Sequence, residues 1–394
     1  MFSPIFSPRF TFFCKSGIIT QKARTETVMI SLQKIGFVGL GVIGGSFAKA
    51  IRQYFPDCQI VAFDKNKETL AYAIQEDIIH ISCSAIDKNF SGCDFVFLCA
   101  PISYNNAYLS RLKDFLTPGC ILTDVGSVKT SIHEEVQRLG LDRFFIGGHP
   151  MTGSEKSGFV NSNAHLMENA YYVLTPSSAT TKDQLQKYQE FVTTVKAIPL
   201  VLDYHLHDRV TGAISHLPHI IAASLVNYIR ETDTPDELMK NLAAGGFKDI
   251  TRIASSSPVM WQQICLKNQE NISEILEEFI QMLQRAKAYV DGREDRELYH
   301  MFETSRDYRD SMPTSSSGPL KKTYAVYCDI VDEAGGIATI ATILASNAIS
   351  LKNIGIIHNR EFEEGVLCIE FYDNVSYEKA VSVLKRHHYT IYER

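Results

Sequence analysis

Three segments of this chain concentrate side chains that could do chemistry. The first, Thr123-Asp-Val-Gly-Ser-Val-Lys, places Ser127 and Lys129 just beyond an apolar run of strand length. The second, Gly147-Gly-His-Pro-Met-Thr-Gly-Ser-Glu-Lys-Ser-Gly, places His149 just after another such run. The third spans Ser215-His-Leu-Pro-His, the stretch Ala244-Gly-Gly-Phe-Lys-Asp-Ile-Thr-Arg-Ile-Ala and the single tryptophan, Trp261. A neutral imidazole is the natural acceptor of a hydroxyl proton near pH 7. A serine hydroxyl can assist it, and an arginine fork suits a carboxylate because it binds both oxygens. Together they describe oxidation of a hydroxyl-bearing, anionic substrate. Plainer alternatives stay open: His149 before Pro150 also suits a strand end, Arg252 also suits a pair with Asp249, and Trp261 also suits a core. Their assembly beside a nucleotide fold favours a site.

That fold is signalled by Ile35-Gly-Phe-Val-Gly-Leu-Gly-Val-Ile-Gly-Gly-Ser. Gly39 suits a tight turn, Gly41 a close approach of backbone to a pyrophosphate, and Gly44 close packing of helix on strand. The glycines follow a strand and open a helix at Val42 and Ile43, whose free N–H groups favour phosphate. Asp64 ends the next strand 20 residues after Gly44, where an acid bonds a ribose 2′-hydroxyl and repels a 2′-phosphate. NAD is therefore expected over NADP, with Lys65 the neighbouring cation that could soften the preference. Ala100 and Pro101, at the end of a further strand, complete the expected cofactor-binding set.

The elements that must position these residues follow from periodicity. Apolar runs Ile35–Leu40, Ile60–Phe63, Phe95–Ala100 and Ile121–Val125 alternate with helix-like stretches, and Phe144–Ile146 and Tyr171–Leu174 extend the pattern. An α/β, Rossmann-type parallel sheet domain is expected over residues 34–202. Residues 203–310 carry helical spacing, including one long amphipathic helix over Asn268–Asp291 with Ile272, Ile275, Leu276, Phe279, Met282 and Leu283 on one face. An all-helical second domain is expected, packed against a partner subunit in a homodimer. Residues 311–322, SMPTSSSGPLKK, read as a linker. Residues 323–394 follow a βαββαβ order, the ferredoxin-like split unit.

Composition narrows the classes. The chain has 394 residues, is 45% hydrophobic and 21% charged, and has a net charge of -6. No basic field exists to hold nucleic acid or an anionic membrane. No apolar run reaches the ~18 residues of a membrane helix. The nine cysteines are odd in number and lack metal-ligand spacing, so buried thiols in a reducing cytoplasm are expected, with no metal. Residues 1–33 read as a disordered extension. The first 28 residues hold five Phe, four basic residues and one acid before Met29. They half fit a targeting peptide, or an over-long start with initiation at Met29.

Over residues 34–310, HPMTGSEKSG, DVGSVK and GGFKDITRIA resemble the prephenate dehydrogenase family and its wider prephenate/arogenate group. The resemblance implies oxidative decarboxylation of prephenate to 4-hydroxyphenylpyruvate with NAD reduction, in tyrosine biosynthesis. It implies that His149 accepts the proton of the ring C4 hydroxyl and that Ser127 orients both His149 and that hydroxyl. Arg252 would bind a substrate carboxylate and His216 the pyruvyl side chain, with Gly246 and Trp261 also lining the substrate. Glu155 and Lys156 would stand at the mouth, meeting Arg252 from the other subunit. Thr152, where Ala is frequent, and Lys248, where Arg is frequent, depart from the pattern and bear on substrate preference. Residues 323–394 resemble an ACT domain through Asp332-Glu-Ala-Gly-Gly-Ile and Leu351-Lys-Asn-Ile-Gly-Ile-Ile-His-Asn-Arg-Glu. That resemblance implies an amino-acid effector, tyrosine by end-product logic, held by Gly335, Gly336, Asn347 and Asn353. The alternatives are arogenate dehydrogenase, a β-hydroxyacid dehydrogenase whose catalytic Lys motif is missing here, a non-catalytic nicotinamide and amino-acid sensor, and a dimerisation module at the C-terminus.

Overall fold

The computed structural model describes residues 30–153, 157–312, 324–330, 335–357 and 365–392. Most of the N-terminal extension and of the Ser/Pro/Gly stretch, with Glu155 and Lys156, therefore lies outside the described residues.

Five parallel strands form the first sheet in the order β3-β2-β1-β4-β5: β1 (Lys34–Val38), β2 (Gln59–Phe63), β3 (Ile81–Cys83), β4 (Phe95–Leu98) and β5 (Ile121–Asp124). The helices α1 (Val42–Tyr54), α2 (Lys67–Gln75), α3 (Ile102–Leu112) and α4 (Thr130–Leu139) follow β1, β2, β4 and β5. Runs such as FVFL are buried on both faces, which is why they read as unbroken apolar stretches. One face packs rings, with Phe37 and Phe97 at 5.3 Å and Phe95 and Phe191 at 5.0 Å. The other packs Val38, Val61, Leu98 and Leu122 against Tyr108, Leu109 and Ile132.

The continuation differs from the wholly parallel expectation. β6 (Ile146–Pro150) runs antiparallel to β7 (Tyr171–Pro176), which pairs in parallel with β8 (Ile198–Val201) after α5 (Lys182–Thr194). A parallel bridge from Leu122 to Phe145 continues the first sheet. A parallel return needs a crossover, usually helical. The described part of 151–170 contains only a single 3-10 turn, Phe159–Asn161, which is spent covering α1.

The second domain is helical: α6 (Tyr204–Thr211), α7 (Leu217–Thr232), α8 (Leu238–Leu242), α9 (Gly245–Thr251), α10 (Pro258–Lys267), α11 (Gln269–Gly292) and α12 (Asp295–Ser311). A five-residue π turn, Gly212–His216, joins α6 to α7 where a plain helix is expected. α11 matches the long amphipathic helix of the sequence. Its Ile272 and Ile275 are buried, yet Met282 and Leu283 are 56% and 53% exposed, leaving the far end of its apolar face uncovered in one chain. No helix among the described residues is long and apolar enough to cross a membrane.

At the C-terminus, β9 (Tyr324–Ile330), α13 (Gly336–Ser346), β10 (Leu351–Ile357), β11 (Gly365–Phe371), α14 (Asn374–Arg386) and β12 (Ile391–Tyr392) form a βαββαβ unit. Its sheet runs β10-β11-β9-β12 with every pair antiparallel. Val326, Cys328, Leu344, Leu367, Ile369 and Leu384 make a core of its own.

Candidate active site

Gly39 takes φ +101 immediately after β1, and its N–H donates to the Phe63 carbonyl at 2.8 Å. A Cβ on Gly44 would stand 2.4 Å from the Gly39 carbonyl, so α1 can approach the strand this closely only with glycine there. Gly41 caps α1 without any side-chain bond, and a Cβ there would meet nothing within 4 Å. The N–H groups of the first turn, at Val42 and Ile43, lie at the positive end of the helix beside that open position. This cradle fits the pyrophosphate of a dinucleotide. Ala100 and Pro101 flank it beyond β4, with Pro101 capping α3.

Asp64 follows β2, and its carboxylate accepts from the Leu40 N–H at 2.7 Å and the Asn66 N–H at 2.8 Å. It therefore braces the glycine turn, a role beyond the ribose contact read from spacing. Each carboxylate oxygen keeps a second lone pair for such a contact. Lys65 Nζ sits 3.4 Å from the centre of the Tyr104 ring, a cation–π placement.

His149 lies near the end of β6, with Nδ1 2.8 Å from His207 Nε2. His207 Nδ1 in turn lies 2.8 Å from Asp208 Oδ1. Asp208 accepts from the backbone N–H groups of Lys129 and Thr130, each at 2.7 Å. The Lys129 ammonium is fully buried, pairs with Asp124 and donates to the Gly148 carbonyl at 2.7 Å. Two domains are thereby tied together at the residues beside His149.

Ser127 sits half-buried in the β5–α4 loop, and no hydrogen bond joins it to His149 among the described residues. α6 delivers the His207 imidazole to hydrogen-bond distance of His149 Nδ1. His207, Asp208, Lys129 and Asn268 were not assigned roles from sequence. The local signals for them are Lys129 in DVGSVK and the adjacent His-Asp pair in the helix-like stretch YHLHDR.

His216, at the end of the π turn, has Nδ1 3.0 Å from Asn268 Nδ2, and that amide also donates to the Asp208 carbonyl at 2.8 Å. Trp261 stands edge-on to His216 with ring centres at 5.9 Å and stacks on His219 at 3.6 Å. Its indole N–H is buried without a partner among the described residues. Arg252, exposed at the start of a 3-10 turn (Arg252–Ser255), lies close enough to His219 to act on its charge state. Arg252, His219, Trp261 and His216 therefore form a continuous set. Gly246 instead lines an open apolar depression with Ile229, Met239, Leu242 and Phe247. No described contact joins it to the histidines.

In the C-terminal unit Gly335 takes φ +96 as the cap of α13, and Gly336 begins that helix. The Asn347 amide donates to the Ile343 carbonyl at 2.9 Å, and Asn353 Oδ1 accepts from the Ile354 N–H at 3.0 Å. Both amides are thus partly engaged by backbone. Residues 332–334 of the expected effector loop lie outside the described residues. Among the described residues no cluster of three His, Cys, Asp or Glu is placed to hold a metal. The eight described cysteines are free thiols.

Burial, then the nearby His207, Lys129 and His216, hold His149 well below the usual imidazole range. Burial chiefly takes His216 down to about 4, and burial with the Lys129 charge takes His133 down to about 3. All three are neutral in the folded protein near pH 7, but in the unfolded chain they would protonate near pH 6.5. As pH falls from about 6.5 towards 4, the unfolded state gains protons that the folded state refuses, so stability declines through that window. Urea titrations should give a lower midpoint at about pH 5 than at about pH 7.5. Equal midpoints would contradict buried, neutral imidazoles.

Known proteins carry the same organisation. The family model described as "Prephenate dehydrogenase, nucleotide-binding domain" matches residues 47–200, and "Prephenate dehydrogenase, dimerization domain" matches 203–304. The prephenate dehydrogenase of Bacillus subtilis is 36% identical over 335 residues, covering 84% of this chain and 90% of the relative. That of Lactococcus lactis is 34% identical over 359 residues, covering 90% of this chain and 98% of the relative. Prephenate dehydrogenase from A. aeolicus, solved with hydroxyphenyl propionate and NAD+, superposes with a TM-score of 0.68 at 34% identity. The superposition covers 72% of this chain and 99% of that one. Synechocystis arogenate dehydrogenase superposes at 0.65 with 29% identity, over 71% of this chain and 99% of that one. Glycine cradle, buried histidines and the two matched domains together place this chain in the prephenate dehydrogenase family.

Proposed function

We propose that the chain catalyses the NAD-dependent oxidation of prephenate with loss of carbon dioxide, giving 4-hydroxyphenylpyruvate. The observation that carries this reading is a neutral, half-buried imidazole, His149, held by His207 at the end of a strand in the dinucleotide-binding domain. His149 takes the proton of the ring C4 hydroxyl. Bound NAD supplies the hydride acceptor. As the ring carboxylate leaves as carbon dioxide the ring becomes aromatic, which drives the reaction, so the chain's task is alignment and charge. Arg252 anchors a carboxylate, while His216 and the unpartnered indole N–H of Trp261 meet the side chain. Ser127 lies one loop away as a contact for the hydroxyl. Gly246, Glu155 and Lys156 complete the proposed substrate-binding set, and Asp64 meets the adenosine ribose.

The likeness to the Synechocystis arogenate dehydrogenase supports arogenate as a second substrate. The uncovered end of the α11 apolar face, at Met282 and Leu283, supports a homodimer through the helical domain. The free thiols suit a reducing cytoplasm. In this reading the βαββαβ unit is a regulatory ACT domain that binds tyrosine near Gly335, Gly336, Asn347 and Asn353.

Purified protein with NAD and either prephenate or arogenate, followed by NADH absorbance with and without tyrosine, tests all three readings. No turnover with either acid would remove the assignment, and indifference to tyrosine would remove the effector. Arg252→Gln should raise KM for prephenate by at least about tenfold with kcat nearly unchanged, as lost anchoring does. An unchanged KM would take Arg252 out of the substrate site.

A further inference from the structure

We infer that His207 and Asp208 are positioning residues that lock His149 into the one tautomer able to accept a proton from the substrate. This rests on the reading of His149 as the base, and it follows from donors and acceptors counted along one chain of contacts.

Asp208 receives N–H bonds from Lys129 and Thr130, groups that can only donate. Burial alone would push its carboxyl up. The bonds from His207, Thr130 and Lys129 outweigh that and hold it below the usual range, so it is ionised and only accepts. His207 Nδ1, at 2.8 Å, must then carry the hydrogen. With its one N–H committed to Asp208, the neutral form of His207 presents Nε2 as an acceptor. It faces His149 Nδ1 at 2.8 Å, which must donate. His149 Nε2 is left with a bare lone pair, the state a general base requires. When that nitrogen gains a proton, the positive charge lies in line with the Asp208 carboxylate through His207. The proton stays on His149, and the relay supplies orientation and charge.

The geometry is braced from both domains. Asn268 donates to the Asp208 carbonyl, Thr211 Oγ1 donates to the His207 carbonyl at 2.9 Å, and both residues are buried. The α4 N-terminus, presenting the Thr130 N–H, adds its positive dipole end to hold the carboxylate charged.

The test reads the tautomer directly, by nitrogen NMR of protein labelled at histidine, with His149 identified by the signal lost in His149→Asn. At neutral pH, His149 is expected protonated at Nδ1 and bare at Nε2. His207→Gln, whose amide oxygen can accept in the same place, should keep that tautomer and hold kcat within about tenfold of the parent. His207→Phe removes the acceptor and should lower kcat by roughly 10²-fold, with KM for prephenate changed only a few-fold. An Nε2-protonated His149 in the parent protein would overturn the inference. So would full kcat in His207→Phe, or equal impairment of the Gln and Phe variants. The NMR arm needs no substrate. A failed relay with an inactive His149→Asn leaves the base reading standing, whereas an active His149→Asn removes that reading whatever the tautomer.

Discussion

Replacing His149 by Asn is expected to lower kcat by about 10²–10⁴-fold, the range of a lost general base, with NAD affinity kept. The two effects separate because the groups involved are separate. The dinucleotide cradle is backbone at Gly39, Gly41 and Gly44, braced by Asp64 through the Leu40 N–H. His149, the proposed proton acceptor, stands on β6, held by α6. An asparagine amide can still donate towards His207, so the local fold should survive while the basic nitrogen is gone. Steady-state kcat and an NAD binding titration check both halves. Full kcat would show that another group takes the hydroxyl proton.

Lys129→Met is expected to destabilise the protein by about 3–5 kcal/mol, as breaking one side of a buried ion pair does. The ammonium is buried, and it is the partner of Asp124, itself 1% exposed, and of the Gly148 carbonyl. Methionine fills much of the same volume, so the loss comes from an unpaired carboxylate and an unsatisfied carbonyl rather than from a cavity. Gly148 immediately precedes His149, so activity should fall with stability. Urea unfolding at about pH 7.5 checks the first effect. A loss under about 1 kcal/mol would mean that Asp124 finds another partner or takes up a proton. Adding Asp124→Leu to the variant should recover part of the loss, since a buried ion pair replaced on both sides by apolar groups is far less damaging.

Much of this molecule is written in short-range pattern. The glycine turn is legible because Gly39 must adopt positive φ and Gly44 must leave room for a carbonyl, requirements local to a dozen residues. The strands are legible because burial on both faces demands unbroken apolar runs. The long helix α11 is legible because its apolar face repeats at helical spacing. DVGSVK and HPMTGSEKSG stand out for the same reason, since turn-forming residues cluster where strands end. What the sequence by itself determined is thus most of the elements, the nucleotide cradle and the segments that carry the polar side chains. The tertiary structure alone decided that β7 turns back antiparallel, that His207 meets His149, and that Lys129 disappears into the interior. Those outcomes join residues as far apart as 58 positions for His149 and His207 and 79 for Lys129 and Asp208. No local preference encodes such a meeting. It arises when the helical domain packs against the sheet edge and every buried donor and acceptor must find a partner or lose its hydration unrepaid.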